Sequence, residues 1–307
     1  MSKRGIYLVA NEVSSSLCHN LIFTIRQCGS TLPIRIIPYG GKLLQIDPKF
    51  KDVKLLRVED FPVEGQNFIA DLWKRMPQCN PGLLNRFLSW FGEFDEFIYS
   101  DNDIVALMNW DNLFSFLADG DLVHADTEYA TDGKYTVYQP RRLEQLLEVG
   151  ALDCCINAGF FLCRRNPRHI GDLLAALELM EANPEMPKWH DQALLSIALA
   201  IGKWPEVNLC RPPHNWARTA ANSYEPMFEL FRTIQVDRQP IAFIHYSGTV
   251  PTGIRSVEEL IFSDRSPEER NAKLLWGLTH KVSGLSEAKR LIKRARQKIK
   301  QRVTSTR

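Results

Sequence analysis

Two aspartates separated by a single residue follow an apolar segment in the first half of the chain, and their spacing suits cation binding. Residues 97–99 form that segment, and Asp101 and Asp103 come just after it. Because residues i and i+2 of an extended chain point to the same side, both carboxylates can converge on one object. Carboxylates so placed repel each other unless a cation lies between them, and Mg²⁺ or Mn²⁺ prefers such oxygen ligands. The motif predicts a divalent-cation site, with a solvated turn as the alternative.

Paired aspartates also occur in two other classes of enzyme, and this motif alone excludes neither class. In phosphatases of the haloacid-dehalogenase type the pair lies near the N-terminus and is followed by Thr or Val. Val105 fits that pattern, but the pair lies a third of the way along the chain. A nucleotidyltransferase also carries paired aspartates on a sheet. By contrast, no GxGxxG or GxxxxGKS segment follows the first apolar run, which disfavours standard dinucleotide-binding dehydrogenases and P-loop NTPases.

Three further polar segments lie next to predicted strands or helices. Their amide, carboxylate and imidazole groups can bind hydroxyl groups or metal ions, and their small residues let a ligand approach the backbone. The segments are Asn157, Ala158 and Gly159 at the start of a strand, Asp191 and Gln192 at the start of a helix, and His245 and Gly248 after a strand.

The apolar pattern predicts the elements that position these residues. Short apolar runs alternate with amphipathic segments, which indicates an α/β fold with a mostly parallel sheet. In such sheets ligands bind outside the carboxyl ends of the strands, where the polar segments fall. The predicted strands cover residues 6–10, 34–39, 53–58, 97–99, 122–125, 156–163 and 241–244, and the predicted helices cover residues 17–28, 83–91, 170–180 and 193–201.

Composition describes a globular chain with an uneven charge distribution. Of 307 residues, 45% are hydrophobic and 24% charged, and no apolar run reaches the ~20 residues of a membrane span. Seven cysteines without a CxxC pair predict reduced thiols in a cytoplasmic protein. The net charge of +2 combines an acidic body with residues 281–307, which hold ten basic residues and one acidic residue.

The basic tail has an apolar stripe at helical spacing, which predicts an amphipathic helix. Such a helix suits an anionic membrane surface, so we expect a peripheral position at the inner membrane face. The acidic body and the lack of a nucleic-acid-binding motif argue against nucleic acid as a partner. A plain solvated helix is the alternative.

In their order along the chain, the DxD, NAG, DQ and HYxG segments resemble the GT-A glycosyltransferases over residues 5–255. The resemblance is greatest to the retaining family 8 group, which includes lipooligosaccharide galactosyltransferases and glycogenins. It implies a Rossmann-like GT-A catalytic domain over residues 1–255, followed by a helical region over residues 256–307. It also implies metal-dependent transfer from UDP-glucose or UDP-galactose to a saccharide or lipid-linked acceptor, in polysaccharide or glycolipid synthesis.

The resemblance also assigns roles to individual residues. It implies Mn²⁺ or Mg²⁺ binding by Asp101, Asp103 and His245; catalysis by Gln192 and Asp191; nucleotide binding by Ala10, Asn11, Asn102 and Gly248; and donor-sugar binding by Arg86, Asp126, Asn157, Ala158, Gly159 and Asp191. On the residues alone, Arg86 is predicted to lie on the surface.

The chain departs from the family pattern in two places. It lacks the Lys and Trp that follow the family's HxxG segment, and Ala193 stands where the family has the second Asp of DQD. Inverting transfer, with Asp191 or Asp126 as the base, therefore stays open beside retaining transfer. A catalytically decayed GT-A-like protein that binds or scaffolds at a membrane surface is the second hypothesis.

Overall fold

The computed structural model describes residues 2–40, 44–125, 156–185, 187, 190–210, 217–219 and 241–245. The predictions for Asp126, for Gly248 and for the basic tail fall outside these residues. In the part of the chain that is described, no helix has the length and apolar character needed to cross a membrane.

Within the residues that the structure describes, ten strands form two sheets. In chain order they are β1 Arg4–Ala10, β2 Ile34–Pro38, β3 Val53–Leu55, β4 Glu96–Ser100, β5 Ile104–Ala106, β6 Leu122–His124, β7 Phe160–Arg164, β8 Glu206–Asn208, β9 Ala217–Thr219 and β10 Phe243–His245. The larger sheet has seven strands in the order β3-β2-β1-β4-β7-β6-β8. Within it, β7 runs antiparallel to both of its neighbours and the other pairs are parallel. The mostly parallel α/β sheet is therefore confirmed.

Helices cover both faces of this sheet. They are α1 Ser15–Gln27, α2 Val63–Arg75, α3 Pro81–Leu84, α4 Pro167–Ala182 and α5 His190–Gly202, with 3₁₀ segments at Val58–Asp60, Asn85–Phe91 and Trp110–Ala118. Because side chains alternate along a strand, Ile6 and Leu8 of β1 pack with α1 on one face, whereas Tyr7 and Val9 pack with the other four helices. This two-sided burial explains why β1 is a continuous apolar run.

The smaller sheet brings two distant segments together. Its strand order is β5-β10-β9, and β10 runs antiparallel to β5 with His245 opposite Ile104. Since Ile104 directly follows Asp103, this register places His245 beside the aspartate pair. The pairing joins residues about 140 positions apart in the sequence, and no local sequence pattern predicts it.

The structure corrects several predicted boundaries. The strand predicted over residues 156–163 begins only at Phe160, so the NAG segment lies in the turn before β7. The strand predicted over residues 53–58 ends at Leu55. The helix α2 and the short strands β5, β8 and β9 were not predicted. Among the described residues the cysteines carry free thiols, in agreement with the cysteine pattern.

Candidate active site

Asp101, Asp103 and His245 meet at one edge of the larger sheet. One ligand atom from each side chain lies within 4.8 Å of the other two, and His245 Nε2 is 3.3 Å from Asp103 Oδ1. The aspartates follow the carboxyl end of β4, and His245 arrives on β10. The structure thus brings together the three residues for which metal binding was predicted, at the edge where α/β sheets bind ligands.

Gly159 lies behind this cluster, and the absence of a side chain there is needed for packing. Its carbonyl oxygen accepts a hydrogen bond from the Asp101 amide at 2.7 Å, and its own amide donates to Asn157 Oδ1 at 2.9 Å. A Cβ atom at this position would lie 2.4 Å from His245 Cε1 and 2.8 Å from its Nε2. The imidazole of His245 can therefore reach the aspartates only because residue 159 is glycine.

Arg86 is fully buried and joins the cluster to the start of α5. Its side chain is 2% exposed, so the surface position expected from the residues alone is wrong. Its guanidinium lies 3.4 Å from Asp101 Oδ1 and 3.3 Å from Asp191 Oδ2. It also donates hydrogen bonds to the carbonyl oxygens of Leu83, at 2.7 Å, and Ala158, at 2.5 Å. The planar guanidinium fork can bond all four groups at once, which a lysine could not do.

Tyr99 supports the same aspartate from within β4. Its hydroxyl donates to Asp101 Oδ1 at 2.6 Å, and its ring stacks on Phe161 with centroids 5.0 Å apart. The Arg86 guanidinium lies 5.1 Å from the centroid of the Tyr99 ring. The spacing of two residues in a strand, which places Tyr99 and Asp101 on the same side, was a signal in the sequence that the prediction missed.

The pKa shifts of the cluster follow from burial and from an excess of negative charge. Burial raises the pKa of Asp101; the Arg86 guanidinium opposes this shift and the Asp103 carboxylate adds to it. Burial acts to lower the pKa of His245, but Asp103 and Asp101 outweigh it and the pKa is raised. Two carboxylates and one imidazole form a donor set that fits a divalent cation such as Mn²⁺ or Mg²⁺, which would neutralise this charge.

Asp191 and Gln192 lie in the first turn of α5. Asp191 is buried, and its carboxylate is paired with Arg86. Gln192 Oε1 is a buried oxygen with no hydrogen-bond partner among the described residues. Because a buried acceptor without a partner costs free energy, this oxygen marks a position where a ligand could donate a hydrogen bond.

The residues predicted to bind the nucleotide lie at the neighbouring end of β1. Ala10 is the last residue of that strand. After it, the Asn11 amide donates a hydrogen bond to Ser14 Oγ, and the Ser14 amide donates one to Asn11 Oδ1, each at 2.9 Å. Asn102 Nδ2 donates to the carbonyl oxygen of Val9 at 2.7 Å. The loop after β4 is thereby tied to the end of β1, so the two parts of the site form one continuous edge.

Two further residues near the site were not predicted. The Tyr39 ring packs over Gly82, where a Cβ atom would lie 2.5 Å from ring carbons, and burial together with the Asp101 charge raises the pKa of Tyr39. Burial, with the Asp191 charge adding to it, raises the pKa of the Cys79 thiol to about 12. Both residues reach the site through tertiary packing, for which the sequence carries no local signal.

The architecture is the GT-A fold of nucleotide-sugar glycosyltransferases, as comparison with solved structures shows. The chain is similar to the galactosyltransferase LgtC, solved in complex with donor and acceptor sugar analogs, with 15% identity and a TM-score of 0.55; the alignment covers 88% of this chain and 99% of LgtC. It is similar to the bifunctional glycosyltransferase WbbM, with 14% identity and a TM-score of 0.54, over 89% of this chain and 52% of WbbM.

A third similar structure is the glycosyltransferase GlyE of Streptococcus pneumoniae, with 14% identity and a TM-score of 0.51, over 92% of this chain and 64% of GlyE. At the level of sequence, residues 3–117 match the model of a family described as "Mannosyltransferase putative". No curated protein matches the chain.

Proposed function

We propose that this protein is a metal-dependent glycosyltransferase that moves a sugar from a nucleotide-sugar donor to an acceptor hydroxyl. The observation that carries the proposal is the Asp101, Asp103 and His245 cluster at the carboxyl edge of a GT-A sheet. The buried Arg86 links this cluster to Asp191. Before any cation binds, the three carboxylates of Asp101, Asp103 and Asp191 lie around a single guanidinium. This excess of negative charge favours the binding of a divalent cation.

In this proposal Asp101, Asp103 and His245 hold Mn²⁺ or Mg²⁺. When bound, the cation supplies the positive charge that offsets the negative charge growing on a departing nucleoside diphosphate. The chain's own contribution is positional. Asn102 and the end of β1 form the nucleotide side of the edge, and Asp191 and Gln192 form the sugar side.

We further propose that transfer retains the anomeric configuration. One oxygen of the Asp191 carboxylate is paired with Arg86, which suits a residue that holds sugar hydroxyls. Gln192 is uncharged and takes no proton, so the acceptor proton would pass to the departing phosphate on the same face of the sugar. An active-site mutant of LgtC changes a glutamine, which supports a role for a glutamine such as Gln192 here.

The donor is proposed to be a UDP-hexose, and GDP-mannose is the second candidate. UDP-glucose and UDP-galactose follow from the resemblance to family 8 enzymes. The sequence match to a family described by mannosyl transfer favours GDP-mannose instead. The donor analog in the LgtC complex supports a nucleotide sugar in either case.

A thermal-shift screen of these three donors, with and without Mn²⁺, tests the proposal. We expect one donor to raise the melting temperature in the presence of Mn²⁺ and not after chelation, because a ligand stabilises the state that it binds. No Mn²⁺-dependent shift with any donor would refute the proposed function. Binding without release of nucleoside diphosphate would instead support the non-catalytic alternative.

Replacing Gly159 by alanine is expected to weaken Mn²⁺ binding by about 10- to 100-fold, the range seen when groups that orient metal ligands are lost. The physical reason is the 2.4 Å approach of the new Cβ to His245. The measurement is the free Mn²⁺ concentration by electron paramagnetic resonance.

Gly171→Ala is the matched control for this variant. A Cβ at Gly171, inside α4, meets nothing within 4 Å, so we expect unchanged Mn²⁺ affinity and a small gain in stability. Wild-type Mn²⁺ affinity in Gly159→Ala would show that His245 does not take part in cation binding.

A further inference from the structure

The two oxygens of the Asp101 carboxylate have different surroundings. Oδ1 accepts the Tyr99 hydroxyl at 2.6 Å and lies 3.4 Å from the Arg86 guanidinium. The backbone on the same residue is fixed as well, since the Asp101 amide donates to Gly159. Asp101 therefore has one oxygen engaged by two protein groups, and its carboxylate has little freedom to rotate.

The position of the Tyr99 hydroxyl is itself determined by packing. Tyr99 is 1% exposed, and its ring stacks on Phe161 with an interplanar angle of 23°. Arg86 lies close to the same ring, so one arginine touches both the tyrosine and the carboxylate that the tyrosine holds. Because the ring cannot swing away, the hydroxyl defines where Asp101 Oδ1 must lie.

We propose that Tyr99 is a positioning residue for the cation site. The Tyr99 hydroxyl and the Arg86 guanidinium both contact Oδ1 of Asp101, so that Oδ2 is the oxygen available to the cation. This inference rests on the proposed function, because it concerns the same cation. It adds a residue for which no role was predicted and whose ring is buried among apolar neighbours.

The expected effect follows from the general behaviour of groups that orient metal ligands. A hydrogen bond to a ligating carboxylate fixes its rotation and offsets the cost of burying its charge. Without the Tyr99 hydroxyl, Asp101 can turn about its side-chain bond, and only Arg86 still engages Oδ1. Loss of such a partner typically weakens metal binding by about 10- to 100-fold.

Tyr99→Phe tests the proposal, with Tyr7→Phe as its control. Both changes remove only a hydroxyl from a buried ring, on neighbouring strands at paired positions. The Tyr7 hydroxyl accepts the Phe94 amide at 3.4 Å, and no hydrogen bond links it to Asp101. We expect Mn²⁺ titration followed by electron paramagnetic resonance to show at least about tenfold weaker binding in Tyr99→Phe and wild-type binding in Tyr7→Phe.

A double-mutant cycle gives a second, independent readout. In an Asp101→Ala background, Tyr99→Phe is expected to cause no further loss of Mn²⁺ affinity, because the group that Tyr99 positions is already gone. Wild-type Mn²⁺ affinity in Tyr99→Phe, or equal losses in both tyrosine variants, would overturn the inference and leave the proposed function standing. Failure of the wild-type protein to bind Mn²⁺ would instead refute the proposed function.

Discussion

Replacing Asp103 by asparagine is expected to lower the rate of nucleoside diphosphate release from the donor by about 100- to 1,000-fold, with little loss of stability. Asparagine has the shape of aspartate but lacks the charge, so the cluster keeps its packing and loses one of its two carboxylate charges. A metal ion contributes several kcal/mol to the stabilisation of a transition state, and each ~1.4 kcal/mol corresponds to a tenfold change in rate. The measurement pairs the release rate with Mn²⁺ affinity on the same protein sample.

Asp121→Asn is the control for that experiment. Asp121 also has a partner, Arg164 at 3.3 Å, but it lies just before β6, at the opposite edge of the sheet. We expect wild-type rates and wild-type Mn²⁺ affinity in this variant, because surface ion pairs contribute little. If Asp103→Asn and Asp121→Asn behaved alike, Asp103 would be no cation ligand and the solvated-turn interpretation of the motif would stand.

Replacing Arg86 by methionine is expected to destabilise the protein by about 3–5 kcal/mol, the cost of breaking a buried ion pair. The substitution removes the guanidinium that the Asp101 and Asp191 carboxylates share, and it removes the hydrogen bonds that Arg86 donates to two carbonyl oxygens. Urea denaturation in the presence of a chelator measures the loss. Because Mn²⁺ would return positive charge to the site, we expect it to restore more stability to this variant than to the wild type.

Arg165→Met provides the comparison for Arg86→Met. Arg165 pairs with Asp95 at 2.9 Å and is 40% exposed, so its removal is expected to cost less than about 1 kcal/mol. Arg86→Lys keeps the charge but not the planar fork, so we expect its loss of stability to lie between those of the two methionine variants. If Arg86→Met lost as little stability as Arg165→Met, the ion pairs of Arg86 would not stabilise the site.

Much of the fold could be predicted because the strands of a sheet buried on both faces are continuous apolar runs. The strands β1, β2 and β4 and the helices α1, α4 and α5 are all found at the predicted places. The aspartate motif was visible for the same reason, since charges directly after an apolar strand are conspicuous. The prediction that Asp101, Asp103 and His245 lie together at one site depended on the resemblance to a known family.

The features of the site that could not be predicted depend on contacts between distant parts of the chain. Nothing near Arg86 in the sequence shows that its charge is balanced by Asp101 and Asp191, which are 15 and 105 residues further along. Gly159 also makes room for the imidazole of His245, a close approach that no local pattern in the sequence indicates. The pairing of β10 with β5 involves only three residues on each strand, too few for a periodic pattern.

That short pairing has a consequence for how the protein is made. During synthesis at about 5–20 residues per second, the aspartates emerge roughly 7–30 s before His245. Throughout that interval the nascent chain carries the carboxylates without the imidazole that completes the cluster. Cation binding would therefore mark the moment at which β10 has docked on β5. Ribosome-bound chains of increasing length would acquire Mn²⁺ affinity abruptly, once His245 has left the exit tunnel.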